Sequence, residues 1–258
     1  MSSPPPTSPD PDTLLEVRGL RAGYGASAVL EELSFRMGVE AVGIVGRNGM
    51  GKSTLCDALV GFLPPSGGQI LLRGERIDGR APERIARAGI AYVPQGRRLF
   101  ASLTVEEHLA MLAVRGKRWT PAAVYELFPR LAERKKQRSA DLSGGEQQML
   151  AVGRALLLNA HLIVMDEPSE GLAPTIVDVL VDAIGHLVME GVAVLVVEQN
   201  LRAAVRISPR QLVMVSGRIE AEFTGDELLT RPELQHRYLG VGTAPADSVR
   251  SRRGTTDE

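Results

Sequence analysis

The sequence is poor in cysteine and in aromatic residues: one thiol, Cys56, one tryptophan, and 4% aromatic residues in all. A lone cysteine excludes an internal disulfide framework and fits a reducing compartment. Neither sign of charge is in excess, with 30 basic side chains against 31 acidic ones. That balance argues against a general nucleic-acid or anionic-membrane binder, since both rely on a basic excess. Long apolar runs are missing too. The most apolar stretch, Val192 to Val197, is far shorter than the roughly 20 residues a membrane-spanning helix needs. A soluble chain is therefore expected, with any membrane role supplied through a partner. Met1 to Pro6 has neither a basic nor an apolar region, so no secretory signal is expected.

What is present is an ordinary globular composition, 44% apolar and 24% charged over 258 residues, enough for a sizeable core. Residues 1–12 and 242–258 are polar and Pro-, Ser- or Arg-rich, and read as disordered tails around a single unit at 13–241. Within it, Val42–Val45, Ala91–Val93, Leu162–Met165 and Val192–Val197 read as buried strands of a parallel sheet covered on both faces. Leu14–Arg18, and a hairpin of Leu212–Val215 with Arg218–Phe223 around Ser216-Gly217, read as antiparallel pieces. No strand is expected between Thr104 and Asp141. Thr104-Val105-Glu106-Glu107 is a capping-box start, and a helical insertion is expected over about 96–160.

Gly46-Arg47-Asn48-Gly49-Met50-Gly51-Lys52-Ser53-Thr54 matches G-x-x-x-x-G-K-[ST] in full, directly after a strand. Its glycines permit backbone angles that turn successive N–H groups into an anion-sized nest, and a helix starting near Lys52 adds its positive end. Lys52 is expected to reach the β- and γ-phosphates, and the Ser53 hydroxyl to ligate Mg²⁺. Downstream, a strand delivers Asp166 and Glu167 to the carboxyl edge of the sheet, where α/β folds bind ligands. Asp166 is placed to hold a Mg²⁺ shell and Glu167 to polarise an attacking water; a plain turn cap is the alternative for this pair. Leu142-Ser143-Gly144-Gly145-Glu146 precedes an apolar helix. Ser143 and Glu146 suffice to cap it. Two glycines in a first turn, each costing up to about 1 kcal/mol relative to alanine, argue for a further use in approaching a phosphate.

This order of motifs resembles ABC-type nucleotide-binding domains, over roughly residues 13–241. The resemblance implies a P-loop NTPase of α/β class: a RecA-like core with a mostly parallel sheet, an antiparallel β subdomain and a helical subdomain. It implies an ATPase that uses ATP and Mg²⁺, with two subunits enclosing two nucleotides head to tail. Lys52, Ser53, Asp166 and Glu167 then act in cis, and Ser143, Gly144 and Gly145 on the partner's nucleotide. Tyr24 stands where the family stacks an aromatic ring on adenine. Gln95 matches the family's Q-loop glutamine, a ligand of Mg²⁺ or of the attacking water. Gln199 occupies the switch position, usually histidine; an amide donates to a γ-phosphate but does not titrate. Ala173 replaces the common D-loop aspartate.

Glu198-Gln199-Asn200, Gly171-Leu172-Ala173-Pro174, Gly96-Arg97-Arg98-Leu99-Phe100 and the helix after Ser143 together resemble LivF-type ATPases of branched-chain amino-acid importers. That resemblance implies a second ATPase subunit, either LivG-type or a copy of this chain, with two membrane permeases and an extracytoplasmic binding protein. It places the chain in the cytoplasm, peripheral on the inner membrane face, and calls for no nucleic acid. Arg97, Arg98, Leu99 and Phe100 are candidates for the groove that receives a permease helix. An importer of urea or short amides, and a non-transport soluble ABC ATPase, are the alternatives. The intact Glu167 argues against an inert ATP-binding scaffold.

Overall fold

A computed structural model describes residues 12–25, 27–114 and 116–239. Both expected tails lie outside the described residues, apart from Asp12, and so do the last two positions of the expected 13–241 unit. The chain opens with β1 (Leu15–Tyr24) and β2 (Ser27–Met37), then crosses to β3 (Ala41–Val45) and α1 (Lys52–Val60). β4 (Gly67–Leu72), β5 (Glu75–Arg76), α2 (Pro82–Ala88) and β6 (Ile90–Val93) follow. The next stretch is helical: α3 (Val105–Ala110), α4 (Pro121–Leu127), α5 (Pro129–Glu133) and α6 (Gly144–Leu156). Then come β7 (Leu162–Asp166), α7 (Pro174–Met189), β8 (Ala193–Glu198), α8 (Leu201–Ile207), β9 (Arg210–Val215), β10 (Arg218–Thr224) and α9 (Gly225–Thr230).

Two sheets result. One is antiparallel, of order β2-β1-β4-β5; the other has the order β10-β9-β3-β8-β7-β6. In the second, β9, β3, β8, β7 and β6 run parallel and only β10 is reversed. This is the α/β class the motifs called for. The parallel strands alternate between two cores. Val42, Ile44, Val164, Leu195 and Val197 face Leu55 and Leu59 of α1 and the inner side of the antiparallel sheet. Ile163, Met165, Val194 and Val196 face Leu150 of α6 and Ile184 and Leu187 of α7. Each fully buried aliphatic side chain contributes about 1.5–3 kcal/mol, so this double covering fixes the register and holds the carboxyl ends of β3, β6, β7 and β8 at one edge.

The four anticipated core strands are all present. The hairpin also forms, yet β9 pairs in parallel with β3 and so belongs to the main sheet. The opening strand runs on to Tyr24. β2, β4 and β5 were not anticipated. In β2 the alternation of Leu33, Phe35 and Met37 with exposed Glu32, Ser34 and Arg36 is interrupted upstream, where the β1–β2 register shifts. The charged stretch 117–138 holds two short helices, each opened by a proline, Pro121 and Pro129, at its first position. Thr104 caps α3 as expected, with its Oγ accepting from the Glu107 N–H and Glu107 accepting from the Thr104 N–H. Among the described residues, no helix is long and apolar enough to cross a membrane.

Candidate phosphate-binding and catalytic site

Where β3 ends, Gly46 to Gly51 wraps round the start of α1. Gly51 sits at φ +99°, a left-handed conformation that a side chain would strain. No side chain caps α1, so its first N–H groups face the loop without an acceptor from a cap. Lys52 is buried beneath the loop, its Nζ donating to the carbonyls of Gly46 (3.0 Å) and Arg47 (3.2 Å) and lying 3.7 Å from Glu167 Oε1. Met50 is turned away. Its Sδ meets the Ser216 N–H, its carbonyl accepts from Gly217, and its own N–H goes to Arg47.

A cavity of about 450 Å³ gathers Asn48, Gly49, Gly51, Lys52, Ser53 and Thr54 with Gln95, Glu167 and Gln199. Those distant positions meet because β3, β6, β7 and β8 all end at this edge. Gly46 and Arg47 line an adjoining cavity of about 800 Å³, which Gln199 also borders. Tyr24 stands outside both, 55% exposed, its hydroxyl donating to Asp57 of α1 at 3.1 Å. Ser143, Gly144 and Gly145 lie apart from the phosphate loop, at the start of α6.

Asp166 ends β7 and is buried. Burial pushes its carboxyl above the ordinary range; the Ser53 hydroxyl pulls it back, Glu167 pushes it further up, and Lys52 opposes that. Its Oδ1 is buried with no hydrogen-bond partner, and leaving such an acceptor unsatisfied costs about 1–3 kcal/mol. A cation beside it offsets that cost. Among the described residues no three His, Cys, Asp or Glu side chains form a metal cage. Mg²⁺ is held by one or two carboxylates together with phosphate oxygens and water, and Asp166 offers one such carboxylate with an unpaired oxygen.

Glu167 adopts φ +47°, left-handed for a residue with a side chain, and its N–H donates to the Val197 carbonyl at 2.8 Å. Such backbone strain costs on the order of 1–3 kcal/mol and gathers at functional sites. Gln95, just past β6, donates from Nε2 to Glu167 Oε2 (3.2 Å) and to Glu170 Oε2 (2.9 Å).

At the start of α6, Ser143 and Glu146 complete the expected capping box. The glycines have a local reason as well. A Cβ on Gly145 would lie 2.8 Å from Ile176 of α7, and one on Gly144 3.2 Å from the Arg97 guanidinium. Close packing within the chain thus accounts for part of what Gly145 does, whereas the neighbour at Gly144 is the end of a flexible side chain. Arg97 also donates to Gln147 at 3.2 Å, which joins the segment after Gln95 to the capped helix.

Sequence reasoning singled out neither Glu170 nor Glu198 for a role. Glu198 ends β8 in full burial and accepts from the Ser169 N–H at 2.9 Å. Burial raises its pKa, and the Ser169 hydroxyl and N–H pull it back. Only its neighbourhood to Gln199 hinted at this. Arg97 and Arg98 line a groove of about 330 Å³ with Phe62, Leu112 and Leu158. Leu99 packs into the core instead, and Phe100, half exposed, stacks on His108.

A family profile described as "ABC transporter" matches residues 30–170. The chain is 44% identical over 226 residues to the high-affinity branched-chain amino acid transport ATP-binding protein BraG of Pseudomonas aeruginosa, covering 84% of this chain and 95% of that protein. It is 34% identical to the probable branched-chain amino acid transport ATP-binding protein LivF of Archaeoglobus fulgidus, covering 88% and 99%. Among solved structures, a nucleotide-free ATP-binding cassette from an ABC transporter superposes with a TM-score of 0.78 at 25% identity, covering 89% of this chain and 99% of that one. An ATP-binding subunit of an ABC transporter gives 0.73 at 32% identity, covering 90% and 95%.

Proposed function

The chain belongs to the ABC transporter family and is an ATPase of that family, and from that premise we propose that it energises the import of branched-chain amino acids. The observation that carries the amino-acid reading is the 44% identity to BraG across 95% of that protein. ATPase subunits of importers work with membrane permeases. Here the partners are two permeases, an extracytoplasmic binding protein, and a second ATPase subunit, LivG-type or a copy of this chain. The site of action is the inner face of the membrane. We take residues 13–241 as one nucleotide-binding unit, with about 96–160 as its helical part.

The residues divide the chemistry as follows. Lys52 exchanges the Gly46 and Arg47 carbonyls for β- and γ-phosphate oxygens, and the loop N–H groups hold the rest of the polyphosphate. Asp166, Ser53 and Gln95 would hold Mg²⁺, which would neutralise charge on the phosphate oxygens. Glu167 accepts a proton from water as the water oxygen bonds to the γ-phosphorus. The bond from that phosphorus to the bridging oxygen breaks, and ADP keeps the electron pair. The Gln199 amide donates to the γ-phosphate. Tyr24 offers a ring face to adenine at the outer edge. Ser143, Gly144 and Gly145 close on the nucleotide of the second subunit. Hydrolysis is coupled to the groove, which receives a permease helix, through Gln95 and the segment after it; that Arg97 both lines the groove and bonds Gln147 of α6 supports this.

The test is reconstitution. The tagged chain is isolated from its own cells with its permeases, placed in vesicles with the binding protein, and assayed for solute-stimulated ATP hydrolysis. Stimulation by leucine, isoleucine or valine is expected. Stimulation by urea or acetamide alone would move the chain to the short-amide importers, and isolation without permeases would contradict transport.

A further inference from the structure

Gln95 Nε2 is shared between two carboxylates, Glu167 at 3.2 Å and Glu170 at 2.9 Å. An ionised carboxylate only accepts hydrogen bonds, whereas an amide has one donor end and one acceptor end. Two carboxylates on the same side therefore select the NH₂ end and exclude the carbonyl, because a flipped amide would set its oxygen against both. Gln95, Glu167 and Glu170 all line the phosphate cavity, and with its nitrogen engaged by both carboxylates the Gln95 amide has its carbonyl oxygen left to offer to a ligand.

Glu170 is itself held in place. Its N–H donates to the Glu167 carbonyl at 3.1 Å, closing a tight turn. The residue before it, Ser169, is tied to the buried Glu198 carboxylate at the end of β8. The Leu172 N–H donates to the Ser169 carbonyl at 3.2 Å. The loop is thus fixed on both sides of Glu170, although its side chain is solvent-accessible. Of the two carboxylates Glu170 makes the shorter contact, and Glu167, whose other oxygen lies 3.7 Å from Lys52, is the one assigned to the water.

We propose that Glu170 is a positioning residue for Gln95: it holds the amide nitrogen so that the carbonyl oxygen faces the metal and the γ-phosphate. The inference rests on the reading of Gln95 as a ligand of Mg²⁺. Glu170 does not touch the metal and acts through Gln95.

The test measures equilibrium binding of a fluorescent, non-hydrolysable ATP analogue, with Mg²⁺ and with EDTA, to the full chain and to Glu170→Ala, Gln95→Ala and the double variant. The ratio of the two affinities reports the metal contribution without turnover. Glu170→Ala should lower the ratio about two- to tenfold, the worth of one hydrogen bond, and leave the affinity in EDTA unchanged. Gln95→Ala should lower it at least as far, and the double variant should match Gln95→Ala. Glu170→Asp should recover part of the loss. If Gln95→Ala leaves the ratio unchanged, the reading of Gln95 fails and this inference with it. If Gln95→Ala lowers the ratio while Glu170→Ala does not, the inference alone fails. Equal losses with and without Mg²⁺ in Glu170→Ala, or additive losses in the double variant, would show a general support of the loop and overturn it.

Discussion

Gln199 borders the phosphate cavity at the end of β8, where an amide offers a donor that does not change charge with pH. The parent enzyme should therefore show no ionisation from this position in its ATPase pH profile. Gln199→His should add one near about pH 6.5, the ordinary value for histidine. Superimposable profiles would remove Gln199 from contact with the phosphate. At this scale the sequence was most legible where chemistry is contiguous. Gly46 to Thr54 and Asp166-Glu167 are readable because spacing along the chain is itself the geometry. Glu170 was not legible, because its partner Gln95 lies 75 residues away and meets it only across the edge of the sheet. Glu198 was hidden for the same reason, being a buried carboxylate defined by a backbone N–H in another loop.

Among the elements, α6 joins two demands. Burial pushes the Glu146 carboxyl up, but the Ser143 N–H and hydroxyl and then Arg134 outweigh this, so its pKa is held below the ordinary value. A depressed acid contributes stability above its unfolded pKa and loses it as pH falls through the folded one. Glu146→Ala should melt about 2–4 °C lower near pH 7, in keeping with a cap worth about 1 kcal/mol. The deficit should persist down to about pH 4.5 and narrow below it. A deficit that does not change with pH would contradict the cap. Gly145 makes the second demand. A methyl group there runs into Ile176, and overpacking of this kind costs about 1–3 kcal/mol. Gly145→Ala should be destabilised accordingly, and the same substitution should cost less in thermal melts on an Ile176→Ala background, which lacks the Cγ and Cδ atoms the new methyl meets; an equal cost on both backgrounds would place the strain elsewhere. The start of this helix at Ser143 was legible in the S-x-x-E pattern, whereas the crossing of α7 so near its first turn was not. Strand β2 was hard to read because exposed Glu31-Glu32 and register shifts interrupt its alternation, β4 because two glycines open it and leave a short apolar end, and β5 because Glu75–Arg76 is too short to show a period.

At the scale of the whole molecule, the phosphate loop and the capped start of α6 lie apart, and the segment from Gln95 to Arg97 runs between them, Gln95 bonded to Glu170 and Arg97 to Gln147. The groove beside that link should couple hydrolysis to transport. Phe62→Ser with Leu158→Ser, both exposed at its wall, should abolish solute-driven uptake in vesicles while basal ATPase stays within about twofold, as surface changes remote from the chemistry usually do. Joint loss of both activities would make the groove a part of the fold instead. We propose that one chain holds only half of each ATP site, with Ser143 and its glycines serving a second subunit. The most direct test of this is the particle size of Glu167→Gln in Mg²⁺ and ATP, by light scattering after gel filtration, alone and mixed with the second ATPase subunit. A stable two-subunit particle should appear in one of the two samples and vanish when Ser143→Ala is added. A single-chain particle in both samples, from a protein whose parent hydrolyses ATP at a rate strictly proportional to its concentration, would contradict the shared site.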